Sequence, residues 1–504
     1  MERTRSQIAW HIILLGLTTG MAGDFLFHNT RGLGINALLW TIVVVVAAGR
    51  VSKERTAPLA AHHRLLAATL ILCGALVVVR DTETLHGYET FATLLVVSIA
   101  TSYYRAESIG QLGLLDYIRA CGLTGLMAAI FPGKVFQELD TTNLKATGAN
   151  RQVTAAVRGV LIAIPLLVVF SLLFTSADPI FEHYFRKAFN WDVSNVINHV
   201  AVVVVISWAT IGCFRYAILE TESPGALPSP PAFLGRIEIG TVLGLLNALF
   251  TAFVFVQIHY LFGGKAHIAA TVHLTYAEYA RKGFFELVWA IALSLPVLLL
   301  LHQFTDKTER AADWTFRIAS TLYVALLAVI MASAVLRMQL YVGEYGLTEL
   351  RLYTTAAMAW FGLVFAWFTI TILLGKRERF AIGAFVSGIA TLAGTVALNP
   401  DALIARTNVA LAARTNRFDA CYATSLSADA VPGLIASLPA IPADKQPVVA
   451  YMLLKRWSPA PADWRTWNLG RIQAWNTVQR NIIGLRQAAA PVTTDPCERQ
   501  DETY

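Results

Sequence analysis

IGTVLGLLNALFTAFVFVQIHYLF, residues Ile239 to Phe262, contains no Asp, Glu, Lys or Arg. About 20 apolar residues, each rising 1.5 Å along a helix, cross the hydrocarbon core of a bilayer, and this run is long enough. The runs Val157 to Phe174, Val196 to Cys213 and Thr354 to Leu374 are similarly long and apolar, with Arg158 their one charged residue. Working outward from them, the hydropathy pattern predicts spans near 7–23, 34–49, 64–80, 88–104, 155–175, 195–219, 237–262, 284–303, 316–336, 352–374 and 380–398. Each must be a helix, because an open strand in lipid leaves backbone N–H and C=O groups unpaired. The expected fold is therefore all-α: a polytopic bundle of about eleven transmembrane helices over 1–398, then a small helical extramembrane module over 399–504.

Composition agrees. Hydrophobic residues make up 56% of the 504 and charged residues only 14%, too little polar surface for a water-soluble monomer. The formal charge of +7 does not point to nucleic acid, since cytoplasmic loops of multi-pass proteins hold excess Lys and Arg near anionic lipid. The expected surroundings are the lipid bilayer. The first apolar run, from Ile8, lacks a small-residue cleavage pattern and reads as an insertion signal that is retained.

The loop after the second span carries Arg50, Lys53, Arg55 and Arg64, whereas the first turn offers Arg31 and the next little beyond Arg80. That asymmetry predicts a cytoplasmic amino terminus. Leu112 to Phe131 is apolar but holds Asp116, Arg119, Gly122 and Gly125, with Pro132 next, and reads as an interfacial or re-entrant helix. With eleven spans the tail is then extracytoplasmic. TESPGALPSPP, Thr221 to Pro231, reads as an extended linker between an earlier and a later group of spans.

The tail reads as helices from Asn399, over 419–424, 429–438 and 444–457, and a long one over 463–485. Trp457, Trp464, Trp467 and Trp475 suit either a helical core or a face on lipid headgroups. Cys421 and Cys497 are the tail's two cysteines. They can pair if the tail faces an oxidising compartment and stay free thiols if it is cytoplasmic.

Two polar segments stand out. In HLTYAEYARKGFFELVWA, His273 to Ala290, Glu278, Arg281, Lys282 and Glu286 share one helix face, with Tyr276 nearby; they form either an ion-paired helix shoulder or a ligand-facing stripe, Glu286 lying deepest. In LYVGEYGLTELRLY, Leu340 to Tyr353, Gly346 can end one helix, Thr348 can cap the next, and Glu349 falls in its first turn; Tyr345 and Arg351 crowd the same turn. His259, His267, His273 and His302 have no metal-ligand spacing, and no metal site, cofactor or catalytic group is expected. No P-loop, GxSxG or dinucleotide fingerprint is present.

TYAEYARKGFFEL (Thr275 to Leu287), YGLTELRLY (Tyr345 to Tyr353), SADPIF (Ser176 to Phe181) and NPDALIARTN continuing through Asp419 and Tyr422 together resemble an uncharacterised bacterial integral membrane family, domain of unknown function 4173. The resemblance implies a bacterial inner-membrane location and interest in the polar segments and in Asn399, Asp401, Asn408 and Asp419, but no catalytic residue. The resulting expectation is an envelope-facing sensor, scaffold or assembly factor with an envelope protein or lipid as partner. The alternative is a transporter or lipid-handling carrier with its polar site near spans eight to ten. Oligomeric state is left open.

Overall fold

The computed structural model describes residues 5–30, 32–53, 61–106, 109–110, 112–138, isolated positions between 159 and 181, and then 193–220, 233–262, 284–306, 308–373, 379–461, 463–492 and 494–498. Among them the structure is helical, with no strand beyond one isolated bridge between Leu234 and Thr305. The helices are α1 Arg5–Phe27, α2 Ile35–Ser52, α3 Ala61–Val79, α4 Glu83–Ser102, α5 Leu114–Glu138, α6 Val193–Leu219, α7 Arg236–Phe262, α8 Phe284–Phe304, α9 Arg310–Tyr345, α10 Glu349–Phe368 and α11 Phe380–Leu398. The tail adds α12 Pro400–Thr415, α13 Ala420–Ser425, α14 Val431–Ala436, α15 Gln446–Trp457, α16 Leu469–Arg480 and α17 Ile482–Ala489.

Ten helices among the described residues are long and apolar enough to cross a membrane: α1–α3 and α5–α11, α10 running on through a π turn to Leu373. The protein is a multi-pass helical membrane protein. Two expectations change. The segment expected to be interfacial or re-entrant is one continuous helix, α5, because Asp116 and Arg119 fall in its first two turns rather than at its middle, where a charge is costly. The expected span over 88–104 lies in α4, whose first half, with Glu83, His86 and Glu89, leaves it outside the ten. The span expected over 155–175 lies outside the described residues apart from isolated positions.

The chain divides into two compact units. Unit one comprises residues 1–109, 115–225 and 461–469; unit two comprises 110–114, 226–460 and 470–504. In unit one, α1 and α6 run antiparallel: Arg5 Nη2 donates to Leu219 O at 3.5 Å at one end, and Asp24 meets His199 at the other. Between these ends Gly20 lies so close to α6 that a Cβ there would stand 2.0 Å from Ser207 Oγ and 2.6 Å from Val203 O. Absence of a side chain lets the two backbones touch, the small-residue packing that membrane helices use in place of a hydrophobic driving force. Toward the Arg5–Leu219 end of the pair, Ala9, Ile12, Val135 and Ile211 belong to one apolar core.

In unit two, Ile239, Leu243, Ile291, Phe316, Leu327, Val364 and Phe368 from α7–α10 form the core. At 36 residues, α9 is about 54 Å long and overshoots the hydrocarbon core. The tail starts without a linker. Asn399 at once ends α11 and caps α12, holding a left-handed φ of 53° while its side chain accepts from Ala402 N. The long helix expected over 463–485 is instead a 3-10 turn Trp464–Thr466, capped by the Asp463 side chain, followed by α16 and α17.

Candidate functional site

The turn between α9 and α10 is built by the tail. Gly346 ends α9 at φ 80°, a conformation that suits glycine, and a Cβ there would stand 2.5 Å from Asn408 Oδ1. Asn408, on α12, grips the next residue twice: its Oδ1 accepts from Leu347 N at 2.7 Å and its Nδ2 donates to Leu347 O at 2.9 Å. Thr348 occupies the N-cap of α10 but its side chain makes no capping bond. Instead the Tyr422 hydroxyl, from α13, accepts from Glu349 N at 3.0 Å. Burial pushes the Tyr422 phenol up to about 12. Arg351 donates to the carbonyls of Tyr345 and Gly346, closing the end of α9, and its guanidinium lies 4.0 Å from the Tyr341 ring. Asp401 is fully buried in α12 and accepts from Ser427 N at 3.0 Å. Asp419, exposed, caps α13 by accepting from Tyr422 N at 2.9 Å.

The two motifs that the sequence singled out separately, Tyr345–Tyr353 and the start of the tail, therefore meet in one polar joint. Its groups are largely spent on each other, so it fastens the tail to the spans more readily than it opens a ligand path. Tyr276, Glu278, Arg281 and Lys282 lie outside the described residues. Glu286 is exposed in the first turn of α8, so the expectation that it is the deeply buried member of that stripe is corrected: at a helix start it is near the surface and near the favourable end of the dipole. Further along in unit two, a buried polar cluster forms where Arg337 Nη2 donates to Gln257 Oε1 at 2.7 Å and Ser333 Oγ lies 3.1 Å from the same oxygen.

Cys421 and Cys497 form a disulfide, Cα to Cα 5.6 Å, across 76 residues. The four tryptophans divide by place. Trp457 and Trp475 are partly buried, whereas Trp464 and Trp467 are exposed, the Trp464 ring lying tilted beside Phe25, 6.2 Å between centroids, near the end of α1.

Around them residues 463–468, themselves part of unit one, bond to the ends of its helices. Arg465, held by Asp463 at 2.7 Å, donates to Phe25 O at 2.6 Å; Trp467 O accepts from Ile35 N at 2.8 Å; the Asn468 side-chain amide donates to Val77 O and Arg80 O at 2.8 and 2.7 Å. The partnership with Arg465 holds the Asp463 carboxyl below the usual carboxylate range.

Beside this anchor a second group gathers that the sequence reading did not consider. Asp24 Oδ2 is 2.7 Å from His199 Nδ1, Asp24 Oδ1 is 3.6 Å from His28 Nδ1, and the two imidazoles stack at 3.5 Å. Asp24 and His28 are spaced i, i+4 at the end of α1, a signal visible in DFLFH; His199 is 175 residues from Asp24 and no spacing could have brought it in. Their donor atoms lie within 4.8 Å of one another, close enough together that one ion could be held between them. Glu89, fully buried in α4 with neither carboxyl oxygen hydrogen-bonded, was likewise overlooked inside an apolar stretch.

No curated protein and no solved structure shows a significant match to the chain. A family profile described as a domain of unknown function, DUF4153, matches residues 67–437, from within α3 to just past α14. This match supports the expectation of an uncharacterised domain family but not the label 4173. The matched range takes in the α9–α10 turn together with Asn408 and Tyr422, and matched over most of its length, the chain belongs to the DUF4153 family.

Proposed function

We propose that the protein is an envelope-facing scaffold, sensor or assembly factor of a bacterial inner membrane, and that its tail is the working part. The observation that carries this reading is the polar joint of Asn408 and Tyr422 with the α9–α10 turn, which holds the tail rigidly on the spans. A partner docking on a tail so held would find a preformed surface, without the ordering cost of a tethered one.

Stretch 463–468 binds the ends of α1 and α3 and the start of α2. The basic residues Arg50, Lys53 and Arg64 belong to the opposite ends of α2 and α3. Excess Lys and Arg marks the cytoplasmic side, and a disulfide suits an oxidising one; the first supports an extracytoplasmic place for residues 463–468, the second for Cys421 and Cys497.

The test has two arms. A membrane-impermeant maleimide is applied to intact spheroplasts bearing Cys421 and Cys497, with Cys73, Cys121 and Cys213 replaced by Ala. Labelling only after reduction is expected; labelling only after lysis refutes the extracytoplasmic side. A photo-crosslinker at Ile483, which is 73% exposed on α17, is expected to give discrete adducts with an envelope component in cells. Absence of adducts there and at Leu403, also exposed, removes the scaffold reading.

One observation favours a second reading. The buried Arg337, Gln257 and Ser333 cluster is the kind of intramembrane polar group that lines a carrier's path. A carrier loses transport on Arg337→Leu with the tail intact, whereas a scaffold fails when the tail is released and tolerates a folded Arg337 variant.

A further inference from the structure

We propose that Asp24, His28 and His199 form a binding site for one divalent transition-metal ion, of which Zn2+ is the type. The inference is independent of the scaffold reading, since none of the three residues belongs to the tail.

The site follows from how α1 and α6 pack. The close approach at Gly20 continues one turn further along both helices, so Asp24 and His199 are brought face to face. His28 follows the end of α1, its N–H still donating to Asp24 O at 2.9 Å, which keeps its ring on the same face as Asp24. Arg5, near the far end of α1, is 19 residues from Asp24, or about 28 Å, close to the thickness of the hydrocarbon core. The three side chains thus gather at a membrane boundary, where an ion from water can reach them: His199 is 43% exposed, while His28 and Asp24 are 8% and 15% exposed.

The donor set is two imidazoles and one carboxylate. Zinc takes such ligands at about 2.0–2.2 Å, and tetrahedral bonds of that length put donor atoms about 3.4 Å apart. The present separations of 2.7 and 3.6 Å, all donors lying within 4.8 Å, need only side-chain rotation to close on an ion. A plain Asp–His hydrogen bond explains His199 but leaves two features without a cause. Asp24 Oδ1 is buried with no hydrogen bond, although it faces His28. The two imidazoles stack on each other with both Nδ1 atoms turned to the one carboxylate. A single cation shared by the two imidazoles and the carboxylate accounts for both. The nearby cation Arg465 does not oppose it, because Asp463 compensates that charge with contacts at 2.7 to 3.1 Å. Three protein ligands leave a coordination position open, as sites that bind a water or a substrate do.

The test uses full-length protein purified in detergent, freed of its affinity tag and stripped with chelator, titrated with Co2+ by visible absorption and then with Zn2+ in competition. Wild type is expected to saturate at about one equivalent, with Co2+ bands that Zn2+ abolishes. Because losing an outer-sphere partner already costs about 10–100-fold in affinity, His199→Gln and Asp24→Asn should each lose at least that. His302→Gln, on α8, should bind as wild type does. Unsaturable binding by wild type overturns the proposal, as does wild-type affinity in either ligand variant. Should Asp24→Asn fail to fold, His199→Gln decides alone, its side chain being exposed enough to change without harming the core.

Discussion

At the scale of single residues, the joint between spans and tail depends on a few groups that satisfy backbone atoms. Asn408→Ala deletes both bonds to Leu347 and leaves a partly buried N–H and C=O without them, a cost of about 1–3 kcal/mol. The variant should melt earlier and be cleaved sooner by protease in the α9–α10 turn; unchanged melting and cleavage would mean that the joint adds nothing to stability. Tyr422 supplies a pH dependence whose sign is determined. Its phenol is raised from 10.0 to about 12 in the folded protein, so the folded state keeps the proton where the unfolded chain has lost it. The resulting stability is fully present below pH 10 and is lost as pH rises toward about 12. Wild type should therefore lose more stability than Tyr422→Phe over that window, in parallel denaturation series; equal slopes would contradict the assignment. Part of this joint was legible in the sequence. Gly346 as a helix end and Glu349 in the first turn of α10 follow from backbone rules that need only neighbouring residues. Thr348 as a capping side chain did not follow, because a phenol 73 residues further on reached the same turn.

At the scale of elements, α1 and α6 form the most extensive helix pairing in unit one. Lipid tails are as apolar as Leu, so contact between these helices depends on shape and small residues. Gly20→Ala puts a methyl group within reach of Ser207 Oγ and Val203 O, and the helices must separate. A loss of about 1–3 kcal/mol is expected from such overpacking, read as a lower thermal midpoint in detergent, with Gly20→Leu losing more. Gly244, where an added Cβ would meet nothing within 4 Å, serves as the control, and equal effects at the two positions would show that the contact is not tight. The reading of α5 turned on an element-scale point. Its charges are decisive against a crossing only if they sit at mid-bilayer, and where the helix begins decides that. Composition over a window blurs this boundary, whereas the helix start at Leu114 makes it sharp.

At the scale of the whole molecule, the disulfide closes a loop across 76 residues from α13 to the chain beyond α17. Chain entropy makes such a link worth about 2–4 kcal/mol. Reductant, or Cys421→Ala with Cys497→Ala, should lower the stability of the tail by that amount in denaturant titrations, and an unchanged transition would show that the α12–α17 packing suffices. The sequence by itself determined the solvent, the helical class and most span positions to within a few residues. Hydropathy accumulates over about 20 neighbouring residues, and lipid permits only backbone that satisfies itself. Only the tertiary structure decided which polar groups meet. Asp24 finds His199 across 175 residues, and Asn468 finds Val77 across 391. Pairings at such distances are written in no local spacing; they exist because glycine lets α1 lie against α6 and because residues 463–468 bond to the ends of the first helices.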